Sequence, residues 1–451
     1  MPATTAPVRA STTEAPAARA VPWALGAGLV LVVVAMALPA VTGWNVHVFH
    51  FPPLHADWDP RVGWGTPLAL VVGGLGATYA VRLAQALSWG RLLLTVYAGG
   101  LAWLLSLAFV DGTEGIGHIL TTSYEYLGTA RAVTDFPATL QEYVSRIPYS
   151  AEPNNWPVHI AGHPPGALLF FVVLVQLGLG SGFGAGFVVT LFAASTAVAV
   201  MVTMRVLGAE EWARRAAPFL VLGPAAVWQA VSADAMFAAV AAWGMAALAL
   251  AATSRDRRWV LWSVVAGLLL GYTVMLSYGL PLLGILALTV LWLGRSWRPL
   301  VPAAVAALGV VLAFAAYGFF WWDAVRVLHG RYFEGVAGRR PPAYWMWGNL
   351  AALTFSAGPL VWAGVAQAAG RWRDWLVAAR VPLGLTAAGT AMVLAADLSQ
   401  MSRAEVERIW LPFVPWMLVG CALLPERWRQ RGLWLQVGVA LVVQHLLFTG
   451  W

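Results

Sequence analysis

The sequence predicts an all-α, polytopic membrane fold of about thirteen spans, at about 20 residues for each crossing. Three observations carry that reading. Of the 451 residues, 60% are hydrophobic and 10% charged, and the mean hydropathy is +0.72, a composition that excludes an ordinary soluble domain. Apolar runs of span length succeed one another from Val21 onward. The net charge of +7 comes from arginine alone, mostly in short loops beside those runs, and Trp residues gather at their ends. Arginines so placed orient helices in a bilayer and Trp marks its interfaces, so the basic balance does not point to nucleic acid. The single cysteine, Cys421, excludes an intrachain disulfide.

Residues 1–20, rich in Ala, Thr and Pro, read as a disordered cytoplasmic tail. The rest, 21–451, reads as one integral membrane domain. The run from Val21 to Val41 is long for a secretory leader and lacks a convincing cleavage site, so it is taken as the first span. The following loop carries His47, His50, His55, Asp57 and Asp59, without the tight spacing of a zinc site. Spans over 66–80 and up to Val110 complete the first three, within 21–110. Arg82 and Arg91 mark the loop between the second and third as inner, which puts Asp111 outside.

Residues 111–165 form the longest polar segment, with Asp111, Glu114, His118, Glu125, Asp135, Glu142, Glu152, His159 and His163. A loop this long is more often functional than connective. Beyond it, within 166–451, four apolar stretches lie near 166–181, 184–207, 216–231 and 235–253. Passing from outside to the inner arginines at 255–258 needs an odd number of crossings, so one stretch should be broken or re-entrant, and 166–181 is the candidate. Spans near 259–276, 279–294, 299–321, 346–368, 380–396, 409–424 and 432–450 then alternate. They leave outer loops at 322–345 and 397–408, and the carboxyl terminus outside.

The outer face thus collects the polar chemistry. Asp111 and Glu114 stand where the third span ends, His163 opens a helix with two prolines, and Asp234 and Tyr278 lie at other outer junctions. Arg331, Arg339 and Arg340, with Tyr344 nearby, oppose the inward bias of positive charge and call for an anionic partner. Glu407 and Arg408 precede the run at 409–424. Carboxylates and arginines at a lipid boundary suit transfer from a lipid-linked sugar phosphate: arginine meets the departing phosphate and a carboxylate takes the acceptor proton. Asp111 also fits a helix-end cap or a solvated loop acid, and Arg408 a side chain reaching the headgroups. A rival class is a transporter or flippase for polyprenyl-linked lipids, which calls for charges along a membrane path and two matching halves. Neither is evident, since the polar groups concentrate on one face.

Three short motifs carry a resemblance. Val110-Asp111-Gly112-Thr113-Glu114, His163-Pro164-Pro165 and Ser232-Ala233-Asp234 resemble, in type and order, the GT-C class of membrane glycosyltransferases, which includes protein O-mannosyltransferases and lipid A aminoarabinose transferases. The two spans ahead of the core are similar to those of actinobacterial cell-wall enzymes, and the chain looks most like the methylthioxylose transferases of lipoarabinomannan. The resemblance implies a long outer loop with in-plane helices and an inverting transfer from a polyprenyl-phosphate sugar donor to a cell-envelope glycan acceptor. It places the active site on the extracytoplasmic face of the plasma membrane, among membrane lipid. It makes Asp111 the catalytic base, with Glu114 open as the alternative because the acids are not adjacent. His163, Asp234, Tyr278, Arg331, Arg339, Arg340, Tyr344, Glu407 and Arg408 are the candidates for holding substrate. No metal ligands are assigned, and a divalent cation is left open as cofactor.

Overall fold

The computed structural model describes residues 14–371, 373 and 379–450. Most of the expected tail, 1–13, lies outside the described residues. The remainder of it is helical, because the first helix runs Glu14–Thr42 rather than starting at Val21. Alanine is the strongest helix former, and the segment Glu14–Ala20 contains four alanines.

The chain folds as an all-α membrane protein. Among the described residues, seven helices are long and apolar enough to cross a membrane: Arg19–Thr42, Gly65–Ala86, Trp89–Asp111, Gly182–Val206, Ala233–Thr253, Arg258–Leu276 and Arg380–Leu398. Two bent pairs raise the number to as many as nine. Leu300–Ala316 turns by 75° into Trp321–Glu334, and Pro342–Ser356 turns by 106° into Leu360–Gly370. Among the described residues, several of the expected spans are too short or too broken to count as straight crossings by length. The helix Pro165–Gln176, in the stretch expected to be irregular, has 12 residues, about 18 Å at 1.5 Å per residue against a hydrocarbon core of about 30 Å. Leu280–Leu293 and Val414–Leu423 are short apolar helices too. The stretch 216–231 is not one helix: Glu210–Val221 ends and a separate turn, Ala226–Gln229, follows. The segment expected as an outer loop at 322–345 is mostly the helix Trp321–Glu334 and the start of Pro342–Ser356.

The most buried of the long helices is Ala233–Thr253. Its alanine-rich surface lets the helices Gly182–Val206 and Arg258–Leu276 pack along it. On its far side, Arg258–Leu276 meets Leu300–Ala316 through Gly267 and Gly271, one helical turn apart. A Cβ on either would fall within 2.6 Å of a carbonyl oxygen, that of Ala303 or Ala307. Small residues four apart give this close backbone approach in membrane helices.

The two ends of the bundle have different chemistry. At one end Arg214 donates to the carbonyls of Ala84 and Leu87 at 2.9 and 2.8 Å and pairs with Glu210, while Arg380 donates to Leu293 O. At the other end four polar segments meet. Residues 43–64, 111–165, 321–341 and 397–408 contact one another through Arg61–Asp111, Arg340–His47 O, Arg331–Trp156 O and Arg340–Glu405. The antiparallel pair Asp57–Trp58 with Leu447–Phe448 ties the C-terminal segment to the same end.

Candidate functional site

Asp234 lies in the first turn of the central helix, behind Ser232, where the helix N-terminus favours an anion. Its carboxylate, almost fully buried, accepts a hydrogen bond from Arg408. Arg408 comes from the single turn Val406–Ile409 and lies 3.7 Å from Glu405. Arg340 completes the chain of charges. It donates to Glu405 at 2.9 Å, to Arg403 O at 2.7 Å and to His47 O at 3.2 Å. An aspartate, a glutamate and two arginines from three distant segments therefore form one buried network.

The long polar segment supplies the other wall. Glu125, buried, holds the Nδ1 of buried His159 at 2.7 Å through Oε1. Four residues on, His163 Nδ1 lies 2.7 Å from His159 O and 2.8 Å from the Tyr126 hydroxyl. A carbonyl can only accept, so that nitrogen carries the proton and Nε2 is left as the acceptor. Tyr126 stacks on Phe171 at 4.9 Å, and the His163 ring packs edge-on against Phe237 of the central helix at 5.5 Å. These contacts seat the His-Pro-Pro opening directly beside Asp234.

Backbone conformation marks the same place. Val231, Ala404 and Glu405 have φ of 69°, 68° and 61°. Left-handed backbone is unusual for any residue with a side chain and most of all for a β-branched one. Such strain gathers at functional sites, where the surrounding structure holds it. Several buried polar atoms here make no hydrogen bond among the described residues: Glu125 Oε2, Ser232 Oγ and His55 Nδ1. Buried polar atoms of native proteins are almost always paired, so a group of orphans is a place for water or ligand.

The electrostatics sort the carboxyls into different states. Burial pulls Glu405 upward, but Arg340 and Arg408 outweigh it and hold the group at about 2. Burial pushes Glu407 up to about 7, and nearby Glu405 adds to the effect. Burial also works against ionised Glu125, yet His159 and then Arg408 keep it below the usual carboxylate range. Burial lowers His163 and His55. Arg408 is raised despite burial, because Asp234 and Glu405 stabilise its charge. Carboxyls of opposite bias in one site are a pattern of acid–base centres.

The sequence matches no protein-family model and no curated protein.

Of the residues singled out from the sequence, His163, Asp234, Arg340, Glu407 and Arg408 come together here. The others go elsewhere. Asp111 pairs with Arg61, Nε to Oδ1 at 2.5 Å, and accepts from Gln444 Nε2 at 3.0 Å. Glu114 points into solvent with only His118 near it, at 3.7 Å. Arg331 is spent on the carbonyls of Ile147 and Trp156, and the Tyr344 hydroxyl on Ala35 O, so both hold the framework rather than face a substrate. Arg339 is exposed at the rim. Tyr278 packs against Trp321, its hydroxyl unpaired. Glu125, His159, Glu405 and His55 had no assigned role from the sequence. The one available signal was spacing, His159 four before His163 and Glu405 three before Arg408, each pair sharing a face of a turn. No three His, Cys, Asp or Glu side chains converge to hold a metal ion among the described residues.

Proposed function

We propose that the chain is a membrane glycosyltransferase that moves a sugar, with inversion, from a polyprenyl-phosphate donor to a cell-envelope glycan on the extracytoplasmic face of the plasma membrane. The observation that carries this reading is the buried network of carboxylates, histidines and arginines, built from the start of the central helix and the polar segments around it at one end of a membrane bundle. Buried ion pairs cost desolvation, and replacing them with apolar residues is often neutral or stabilising. A network of this kind therefore calls for a chemical use.

In this reading Arg408 meets the donor phosphate, and Arg340 holds Glu405 beside it. A guanidinium presents a planar fork of donors that matches a phosphate, and the 3.7 Å contact of Arg408 with Glu405 is the one a phosphate oxygen would replace. Arg339 at the rim adds positive charge along the approach. The acceptor glycan lies in a polar groove of about 320 Å³ lined by Thr129, Asp135, Thr139, Glu142, Arg146 and Trp156. A carboxylate takes the acceptor proton. Arginine placement in the loops of the opposite end supports the extracytoplasmic assignment, and the resemblance of the two spans ahead of the core to those of actinobacterial cell-wall enzymes makes methylthioxylose and lipoarabinomannan one substrate pair.

The test uses the purified full-length chain in lipid nanodiscs with radiolabelled polyprenyl-phosphate pentoses and hexoses and purified envelope glycan. Label passing into the glycan is expected. Movement of intact donor between leaflets without any glycosylated product would replace this reading with the flippase alternative.

A further inference from the structure

We infer that Glu125, oriented by His159, is the base that takes the acceptor proton. The inference rests on the glycosyl-transfer reading and assigns its central step to a different residue from Asp111.

A base needs one oxygen available, a fixed direction and an ionised carboxyl. Glu125 meets all three. His159 fixes it through Oε1 at 2.7 Å, while Oε2, equally buried, has no hydrogen-bond partner among the described residues. An orienting group behind a carboxylate, with the second oxygen left for the reaction, is the general arrangement of an activated acid–base residue. His159 and Arg408 favour its ionised form against burial.

Position agrees with chemistry. Glu125 immediately precedes the helix Tyr126–Ala132. Four residues further on, within that helix, Thr129 lines the polar groove proposed for the acceptor. Arg408 is the proposed phosphate ligand. Glu125 thus has the groove-lining Thr129 four positions along the chain and Arg408 within electrostatic reach. Asp111 differs: both its oxygens are engaged, by Arg61 and Gln444. Glu114 is exposed and oriented by nothing firmer than His118.

The step balances without a further reagent. The acceptor hydroxyl oxygen bonds to the anomeric carbon as the bond from that carbon to the phosphate oxygen breaks. The hydroxyl proton passes to Glu125 Oε2, and the bonding pair leaves with polyprenyl phosphate, whose charge Arg408 meets.

The experiment compares Glu125→Gln, His159→Gln and Asp111→Asn in the transfer assay above, with donor binding measured on the same samples. Glu125→Gln should lose about two to four orders of magnitude in kcat with donor affinity within about threefold, while Asp111→Asn stays within about tenfold of wild type. His159→Gln tests positioning. The charged groups around Glu125 are His159, His163, Arg408 and Asp234; removing His159 lifts the Glu125 carboxyl, so the acid limb of kcat/KM should move to higher pH. Normal turnover by Glu125→Gln together with a dead Asp111→Asn overturns the inference and leaves the glycosyltransferase intact. Absence of transfer by the wild-type chain overturns both. Should Glu125→Gln lose donor binding as well, an unmoved acid limb in His159→Gln overturns the inference by itself.

Discussion

Asp111 and Asp234 both stand where a long apolar helix meets the same end of the bundle, and each is held by an arginine. Their settings are otherwise opposite. The side chains of Asp111 and Arg61 are 31% and 18% exposed, those of Asp234 and Arg408 3% and 6%. Arg61 also donates to Leu447 O at 2.8 Å, so the first pair fastens the C-terminal segment to the bundle. The second pair sits among other buried charges and joins the turn Val406–Ile409 to the central helix. Part-exposed ion pairs contribute about 0–1 kcal/mol, which suits an anchor. Buried pairs are expensive to assemble, which suits a site.

The largest effect expected from this contrast is at Arg408. Arg408→Ala leaves Asp234 buried without its countercharge, and breaking one side of a buried pair costs about 3–5 kcal/mol. Donor binding should be lost as well. Arg408→Lys should recover part of both, because an ammonium keeps the charge but not the planar fork. Thermal unfolding and donor binding in nanodiscs read the two effects. The double variant Asp234→Asn with Arg408→Met should regain stability and still not bind donor. If Arg408→Ala melts like wild type, Asp234 does not depend on its partner, and the contrast with Asp111 collapses.

Next in size is a pH effect at Glu407. Its carboxyl, pushed up to about 7 by burial, prefers the protonated form in the folded state. The stability it contributes is complete below the ordinary carboxyl range and is lost as pH rises through about 7. Neighbouring Glu405, held at about 2 by Arg340 and Arg408 against burial, has the reverse dependence, with stability present above the ordinary range and lost as pH falls toward 2. Glu407→Gln removes the first titration only. Its stability relative to wild type should therefore grow between about pH 5 and 8, by about 3 kcal/mol at most. A difference between the two proteins that stays flat over that range would mean that Glu407 is ionised throughout.

Much of this architecture was legible in the sequence, and the rest was hidden for identifiable reasons. Hydropathy located the seven long apolar helices, because burial in lipid selects composition directly. It could not count crossings, since composition is blind to a 106° bend after Ser356 or to a helix of 12 residues. His163, Asp234 and Arg408 stood out as polar residues at the ends of apolar runs. What they pair with did not. Arg408 and Asp234 are 174 positions apart, and His159 and Glu125 are 34 apart, so only folding brings them together. Arg331 and Tyr344 had the right chemistry for ligand binding, but backbone carbonyls claim them. A side chain's type is visible in sequence; a competing carbonyl is not.

The smallest effect belongs to Glu114, the acid that the spacing of the first motif leaves as an alternative base. Its side chain is 78% exposed, and its one charged neighbour, His118, is 67% exposed and 3.7 Å away. Contacts of this kind are screened by water and add little to stability. Nothing fixes the direction of the carboxylate, and a base must be held within reach of the proton it removes. Glu114→Gln should therefore leave both unfolding temperature and transfer rate within about twofold of wild type. Measured beside Glu125→Gln, it separates two kinds of acid in one segment, eleven residues apart by their numbers. Loss of transfer in Glu114→Gln with donor binding intact would place the reaction at the solvent-facing start of the segment, and the buried network around Arg408 would then serve the donor alone.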